Sequence, residues 1–134
     1  MNNTLRLALC LLALLPLSAC GSEKAQTPTY RQISMEEAVQ LMETETDYQI
    51  LDVRTLEEYA QGHIPGAVCV PNETIGSEEI PELPDKDQLI LIYCRSGNRS
   101  KQAAGKLARL GYTTLAEFGG INSWTGETVS GSEG

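Results

Sequence analysis

The chain has 134 residues, of which 41% are hydrophobic and only 5% aromatic, and its formal charge is −8. That length suits one ordinary domain and excludes two, and Leu, Ile, Val and Ala must supply most of the core. The acidic balance, with no basic face in evidence, argues against nucleic acid as a partner.

In chain order, the first segment reads as an address and not as part of a fold. Arg6 lies in a short polar start, and Leu7 to Leu15 is an apolar run ended by Pro16. A bilayer span needs about 20 residues, so this run fits a signal-peptide core instead. Leu17-Ser18-Ala19-Cys20-Gly21 resembles the bacterial lipobox, where small residues precede a cysteine that becomes the lipid-bearing first residue. The expected layout is a lipoprotein signal peptide over 1–19, a lipidated Cys20 opening a flexible tether over 20–29, a domain over 30–126, and a flexible tail over 127–134. The protein is then exported and held by the lipid on Cys20 at a bacterial membrane, facing the periplasm or the outside.

The domain opens with a candidate strand from Tyr30 to Ile33. Ser34-Met35-Glu36-Glu37 reads as a capping box for a helix to about Glu43, striped by Ala38, Leu41 and Met42. Tyr48 to Val53 reads as a buried strand. Thr55-Leu56-Glu57-Glu58 is a second capping box, opening a short helix through Tyr59 and Ala60. Gly62-His63-Ile64-Pro65-Gly66 is turn chemistry, followed by a short strand from Ala67 to Val70. Asn72 to Gln88 is a polar connection. Leu89 to Tyr93 is an apolar run that predicts the central strand. A helix is expected from Ser100 to Leu110, with Gly111 after its end. Thr113 to Ala116 reads as the last strand, Phe118-Gly119-Gly120 as a turn, and a final short helix places Ile121 and Trp124 inward. Strands alternating with helices predict an α/β fold with a mostly parallel sheet of about five strands and helices on both faces.

The most informative stretch is Cys94-Arg95-Ser96-Gly97-Asn98-Arg99-Ser100. It puts a cysteine at the carboxyl end of a strand, with a polar loop leading into a helix N-terminus. Backbone N–H groups converge in such loops, and the helix dipole adds partial positive charge. A thiolate there should have a lowered pKa. Asp52 and Arg54 stand at another strand end, where open parallel sheets bind ligands. The cysteines at 10, 20, 69 and 94 form no CxxC pair and His63 is the single histidine, so no metal site is expected.

These landmarks resemble the rhodanese family in its single-domain form. The resemblance covers about residues 30 to 125. It rests on Leu51-Asp52-Val53-Arg54, Glu57-Glu58-Tyr59, Gly62 to Ala67, the Cys94 to Ser100 loop, and Phe118-Gly119-Gly120-Ile121 with Trp124. It implies a sulfurtransferase. Cys94 would take sulfane sulfur from thiosulfate or a polysulfide or persulfide donor, hold it as a persulfide, and pass it to cyanide or a thiol, including that of a redox protein. The loop residues Arg95, Ser96, Gly97, Asn98 and Arg99 would cradle the outer sulfur with backbone N–H groups. Arg95 would attract an anionic donor, and Gly97 would permit the tight loop. Arg99 is left with two roles, binding substrate or pairing with a carboxylate to brace the loop. No cofactor is implied.

Each residue also has a plainer reading. Asp52 and Arg54 suit structural contacts better than catalysis, His63 a ring bonded to backbone, Trp124 a core plug, and Cys69 a core position in preference to a resolving thiol for Cys94. Two other functions stay in view. One is a non-catalytic or persulfide-relay module at the envelope. The other is a cysteine phosphatase, disfavoured because only four residues separate Cys94 from Arg99.

Overall fold

The computed structural model describes residues 29–132. The expected signal peptide over 1–19, Cys20 and the tether up to residue 28 lie outside the described residues, as do residues 133–134 of the tail.

Five strands and three helices form the domain: β1 (Arg31–Gln32), α1 (Met35–Thr44), β2 (Tyr48–Asp52), α2 (Leu56–Gln61), β3 (Ala67–Cys69), β4 (Leu89–Cys94), α3 (Asn98–Arg109) and β5 (Leu115–Gly120). The sheet order is β1-β5-β4-β2-β3, and every pairing is parallel. All strands therefore point the same way, and their carboxyl ends share one edge. β4 lies at the centre because its Leu-Ile-Leu-Ile-Tyr-Cys run suits a strand covered on both faces.

The period of two along the strands separates two cores. Leu51, Val53, Ile90, Ile92 and Cys94 face the helix α3 through Ala103, Ala104 and Leu107. Ile50, Leu91, Tyr93 and Phe118 face the other way, against Ala38 of α1 and Tyr59 of α2. The expected α/β sheet with helices on both faces is present.

The two expected capping boxes fare differently. The Thr55 capping box is complete: its hydroxyl accepts from the Glu58 N–H and the Glu58 carboxylate accepts from the Thr55 N–H. The Ser34 box is only half made. Ser34 accepts from the Glu37 N–H, but the Glu37 carboxylate turns to Arg31 at 2.7 Å. The connection over 72–88 is pinned by buried Ile75, Ile80 and Leu83, and the Tyr112 hydroxyl donates to the Leu83 carbonyl.

β5 does not stop at Ala116. It runs through Phe118 to Gly120, where a turn is expected from the sequence. The final helix is a single 3-10 turn, Ile121–Ser123. Ile121 and Trp124 do pack against the core, but Trp124 is half-buried at its rim and does not plug it; its indole N–H donates to the Glu127 carbonyl. The stretch expected as a flexible tail is partly tied down. Val129 exchanges two backbone hydrogen bonds with His63, and the Gly131 N–H donates to Ala60.

Candidate functional site

β4 delivers Cys94 to the carboxyl edge as the last residue of the strand itself. Its side chain is buried, 1% exposed, below the turn that follows. α3 starts at Asn98, not at Ser100 as the sequence predicts, so Asn98 and Arg99 belong to the first helical turn and the loop proper is Arg95-Ser96-Gly97. Gly97 caps the helix at φ +115°, a left-handed conformation that glycine adopts without strain.

The tight turn brings backbone donors onto sulfur. The Gly97 N–H donates to Cys94 Sγ at 3.0 Å, and Ser100 Oγ lies 3.4 Å from the same sulfur. Burial pushes the Cys94 thiol up and is the largest single influence. The Ser100 hydroxyl and the N–H groups of Ser100, Gly97 and Ser96 together outweigh it, leaving the thiol below its ordinary value. The first N–H groups of a helix have no intrahelical acceptor, so Asn98 and Arg99 add further positive potential.

β5 forms the support under this loop. A Cβ on Gly120 would stand 2.0 Å from the Arg95 carbonyl oxygen and 2.5 Å from the Ser96 nitrogen. The loop thus lies directly on the strand, which explains why a glycine, Gly120, closes a strand whose end reads as a turn. The Asn122 N–H then donates to the Arg95 carbonyl at 3.2 Å.

The two loop arginines divide their work. Arg99 binds the Glu58 carboxylate with two hydrogen bonds, at 2.7 and 2.9 Å, and so braces α3 against α2. That bond, aided by the Thr55 N–H and opposed by burial, holds the Glu58 carboxyl down at about 2. Arg95 is exposed and, among the described residues, makes no salt bridge. It lines a cleft of about 330 Å³ with Arg54, Glu58, Gly62, Asn122 and Thr128. Cys94 does not line that cleft; its neighbour Arg95 does.

Asp52 and Arg54 are brought close to Cys94 in the sheet but are turned to each other. Both Asp52 oxygens take hydrogen bonds from Arg54, the shortest at 2.6 Å, and one accepts from the Tyr93 hydroxyl at 2.7 Å. Arg54 also donates to the Gly62 carbonyl. This network fastens the β2 end to β4 and to the α2–β3 turn. His63 is fully buried and stacked on Tyr59 with ring centroids 3.6 Å apart, and its Nδ1 donates to the Tyr59 carbonyl at 2.8 Å. It has the structural place expected of it.

Cys69 is the opposite of Cys94. Burial, then the nearby Asp52 charge, push its thiol up to about 12. β2 stands between β3 and β4, and Cys69 packs against the core on the far face of the sheet from Cys94. A direct disulfide would need Cα atoms within about 7 Å with facing Cβ vectors, so Cys69 is not a resolving thiol for Cys94 in this fold.

The sequence alone does not single out Glu58 or Glu117. Glu117 is 2% exposed on β5, and its Oε1 accepts from Ser100 Oγ at 2.6 Å and from the Gly119 N–H at 2.9 Å. The available signal is a lone carboxylate inside the apolar run Leu115-Ala116-Glu117-Phe118, which demands a hydrogen-bonding partner.

The rhodanese-like domain family matches residues 34–127, and the chain belongs to that family. A sulfurtransferase of Allochromatium vinosum is 39% identical over 94 residues, 69% of this chain and 86% of that protein. The Escherichia coli thiosulfate sulfurtransferase PspE is 33% identical over 81 residues, 60% of this chain and 78% of that protein. YrkF of Bacillus subtilis is 36% identical over 98 residues, and the match spans about half of it, 52%. Among solved structures, a rhodanese with anions from E. coli superposes with a TM-score of 0.57 at 32% identity, covering 63% of this chain and 99% of that one.

Proposed function

We propose that this chain is a sulfurtransferase carrying sulfane sulfur as a persulfide on Cys94. The observation that carries the reading is the contrast between its two described thiols. Cys94 receives N–H donors at a helix start and is acidified, whereas Cys69 is held at about 12. Relatives named as sulfurtransferases support the same class.

The chemistry follows from the loop. The Cys94 thiolate attacks the outer sulfur of a donor such as thiosulfate. A new S–S bond forms at Sγ, the donor's own S–S bond breaks, and its electron pair leaves on sulfite. The terminal persulfide sulfur then carries the negative charge, which the N–H groups of the Arg95–Arg99 loop stabilise. Cyanide or a thiolate attacks that terminal sulfur and returns Cys94 as thiolate. No step removes a proton from carbon or water, so no general base is needed. Arg95 supplies free positive charge at the cleft for an anionic donor, while Arg99, engaged by Glu58, supports the loop. That engagement also weighs against a phosphatase, which would need Arg99 on the oxyanion.

Incubation with thiosulfate or a polysulfide should add the mass of one sulfur to the peptide bearing Cys94, and Cys94→Ser should abolish it. Absence of the adduct with every such donor would sink the enzymatic reading in favour of a binding module. From Met1 to Gly21 we further infer export and a lipid on Cys20. Radiolabelled palmitate should enter the wild type and not Cys20→Ser; label in that variant would refute the anchor.

A further inference from the structure

Ser100 Oγ has one hydrogen and four close neighbours. They are the Glu117 carboxylate at 2.6 Å, the Gly97 carbonyl at 3.0 Å, the Gly119 carbonyl at 3.3 Å and Cys94 Sγ at 3.4 Å. The shortest contact is to the charged acceptor, so the proton rests on the Glu117 side. The Ser100 oxygen then faces Cys94 with lone pairs. While its proton stays with Glu117 it can only accept a hydrogen bond from the thiol; to stabilise a thiolate it must first turn that proton to the sulfur.

Glu117 is an unusual group to find there. It is 2% exposed, and among the described residues it makes no salt bridge. Its partners are the Ser100 hydroxyl and the Gly119 N–H alone. Nothing in the strand pairing of β5 requires a carboxylate at that position.

We propose that Glu117 is a positioning residue that competes with Cys94 Sγ for the Ser100 proton, and so sets how many hydrogen bonds the sulfur receives. When Cys94 ionises, the hydroxyl must turn from Glu117 to Sγ, leaving Glu117 with the Gly119 N–H. When Sγ bonds a second sulfur, the charge moves outward and the hydroxyl returns to Glu117. The proton therefore changes partner twice per turnover while Ser100 stays neutral. The competition raises thiolate basicity, and thiolate nucleophilicity rises with basicity. Glu117 thus exchanges some of the thiolate population for greater reactivity.

The other charged groups around Cys94 have different engagements. Arg95 beside it opens to the cleft, Arg99 of α3 is held by Glu58 of α2, and Asp52 of β2 is held by Arg54 and Tyr93. The purpose assigned to Glu117 rests on the sulfur-transfer reading, but its effect on Cys94 can be measured without any sulfur donor.

The test is the pH dependence of Cys94 alkylation by iodoacetamide, followed on the Cys94 peptide by mass. Glu117→Gln should move the midpoint down by about one pH unit, the size expected for freeing one hydrogen bond to a charged sulfur. In a Ser100→Ala background the same change should have less than half that effect, because the connecting hydroxyl is gone. An unchanged or higher midpoint overturns the proposal. So does an equal drop in both backgrounds, which would mean charge acting through space. If circular dichroism shows Glu117→Gln unfolded, Ser100→Ala alone decides: its midpoint must rise, and no rise overturns the proposal. A shifted midpoint in a protein that never forms a persulfide would refute the sulfur-transfer reading and leave the Glu117 assignment standing.

Discussion

The carbonyl oxygen of Arg95 lies 2.0 Å from the point that a Cβ on Gly120 would occupy. The sulfur loop and the end of β5 therefore touch backbone to backbone, and the loop shape depends on a residue far from it in sequence. Gly120→Ala should push the Arg95–Ser96 peptide off the strand and cost about 1–3 kcal/mol, as overpacking does. Thermal unfolding should fall by several degrees, at about 4–8 °C per kcal/mol for a domain of this size. Persulfide formation should fall more than stability does, and a variant with wild-type persulfide yield would show that the contact does not shape the loop.

The Glu58–Arg99 pair gives a pH signature. The folded protein holds Glu58 at about 2, against an ordinary 4.5. A depressed carboxylate contributes stability that is complete above its unfolded value and is lost as pH falls from about 4.5 through 2. Both side chains are about a quarter exposed, at 27% and 25%. Glu58→Gln should therefore destabilise by only about 1–2 kcal/mol at neutral pH, less than the full shift would imply. Urea unfolding of the two proteins should converge towards pH 2, and a constant gap would exclude an ionic origin.

Reactivity should not follow exposure. Cys69 is the more accessible thiol, yet at pH 7 brief iodoacetamide treatment should label Cys94 and leave Cys69 unmodified. Peptide mapping decides this, and preferential labelling of Cys69 would contradict the electrostatic picture.

Among the described residues lining the cleft, Arg95 is a cation that makes no salt bridge, whereas Arg54 is paired with Asp52. Arg95→Glu should raise the KM for thiosulfate by at least tenfold, since reversing one charge beside an anion is worth more than about 1.4 kcal/mol in a partly shielded site. Steady-state kinetics at fixed ionic strength should show this, and an unchanged KM would remove Arg95 from the donor site.

The C-terminal segment also contributes to the cleft. Thr128 lines it, and the adjacent Val129 is bonded to His63. Ending the chain after Gly126 should raise the donor KM and lower the unfolding temperature. An unaffected protein would make the bridge dispensable.

Much of this arrangement is legible in the sequence because it is local. The apolar run at β4, the capping box at Thr55 and the cysteine at a strand-to-helix junction each depend on neighbouring residues. That Arg99 could pair with a carboxylate is legible from its place in the loop, but Glu58 as its partner is not, because the two are 41 residues apart and Glu58 already has a local role in the capping box. Glu117 is hidden for a related reason: its partner Ser100 lies on another element. The length of β5 is misread because Gly119 and Gly120 together signal a turn, whereas the loop packed on the strand end leaves no room for a Cβ at Gly120. Val129 is a single apolar residue in a polar stretch, with no pattern to announce its pairing.

The two described thiols face opposite sides of one sheet, with a strand between them. This domain therefore cannot switch itself off by closing a disulfide between them. A disulfide formed at Cys94 must take its second sulfur from outside the described fold, and its recovery depends on the thiols supplied around it. A thiol that reopens such a bond has to approach from the solvent side of the loop, because nothing inside the described fold can reach the sulfur in its place.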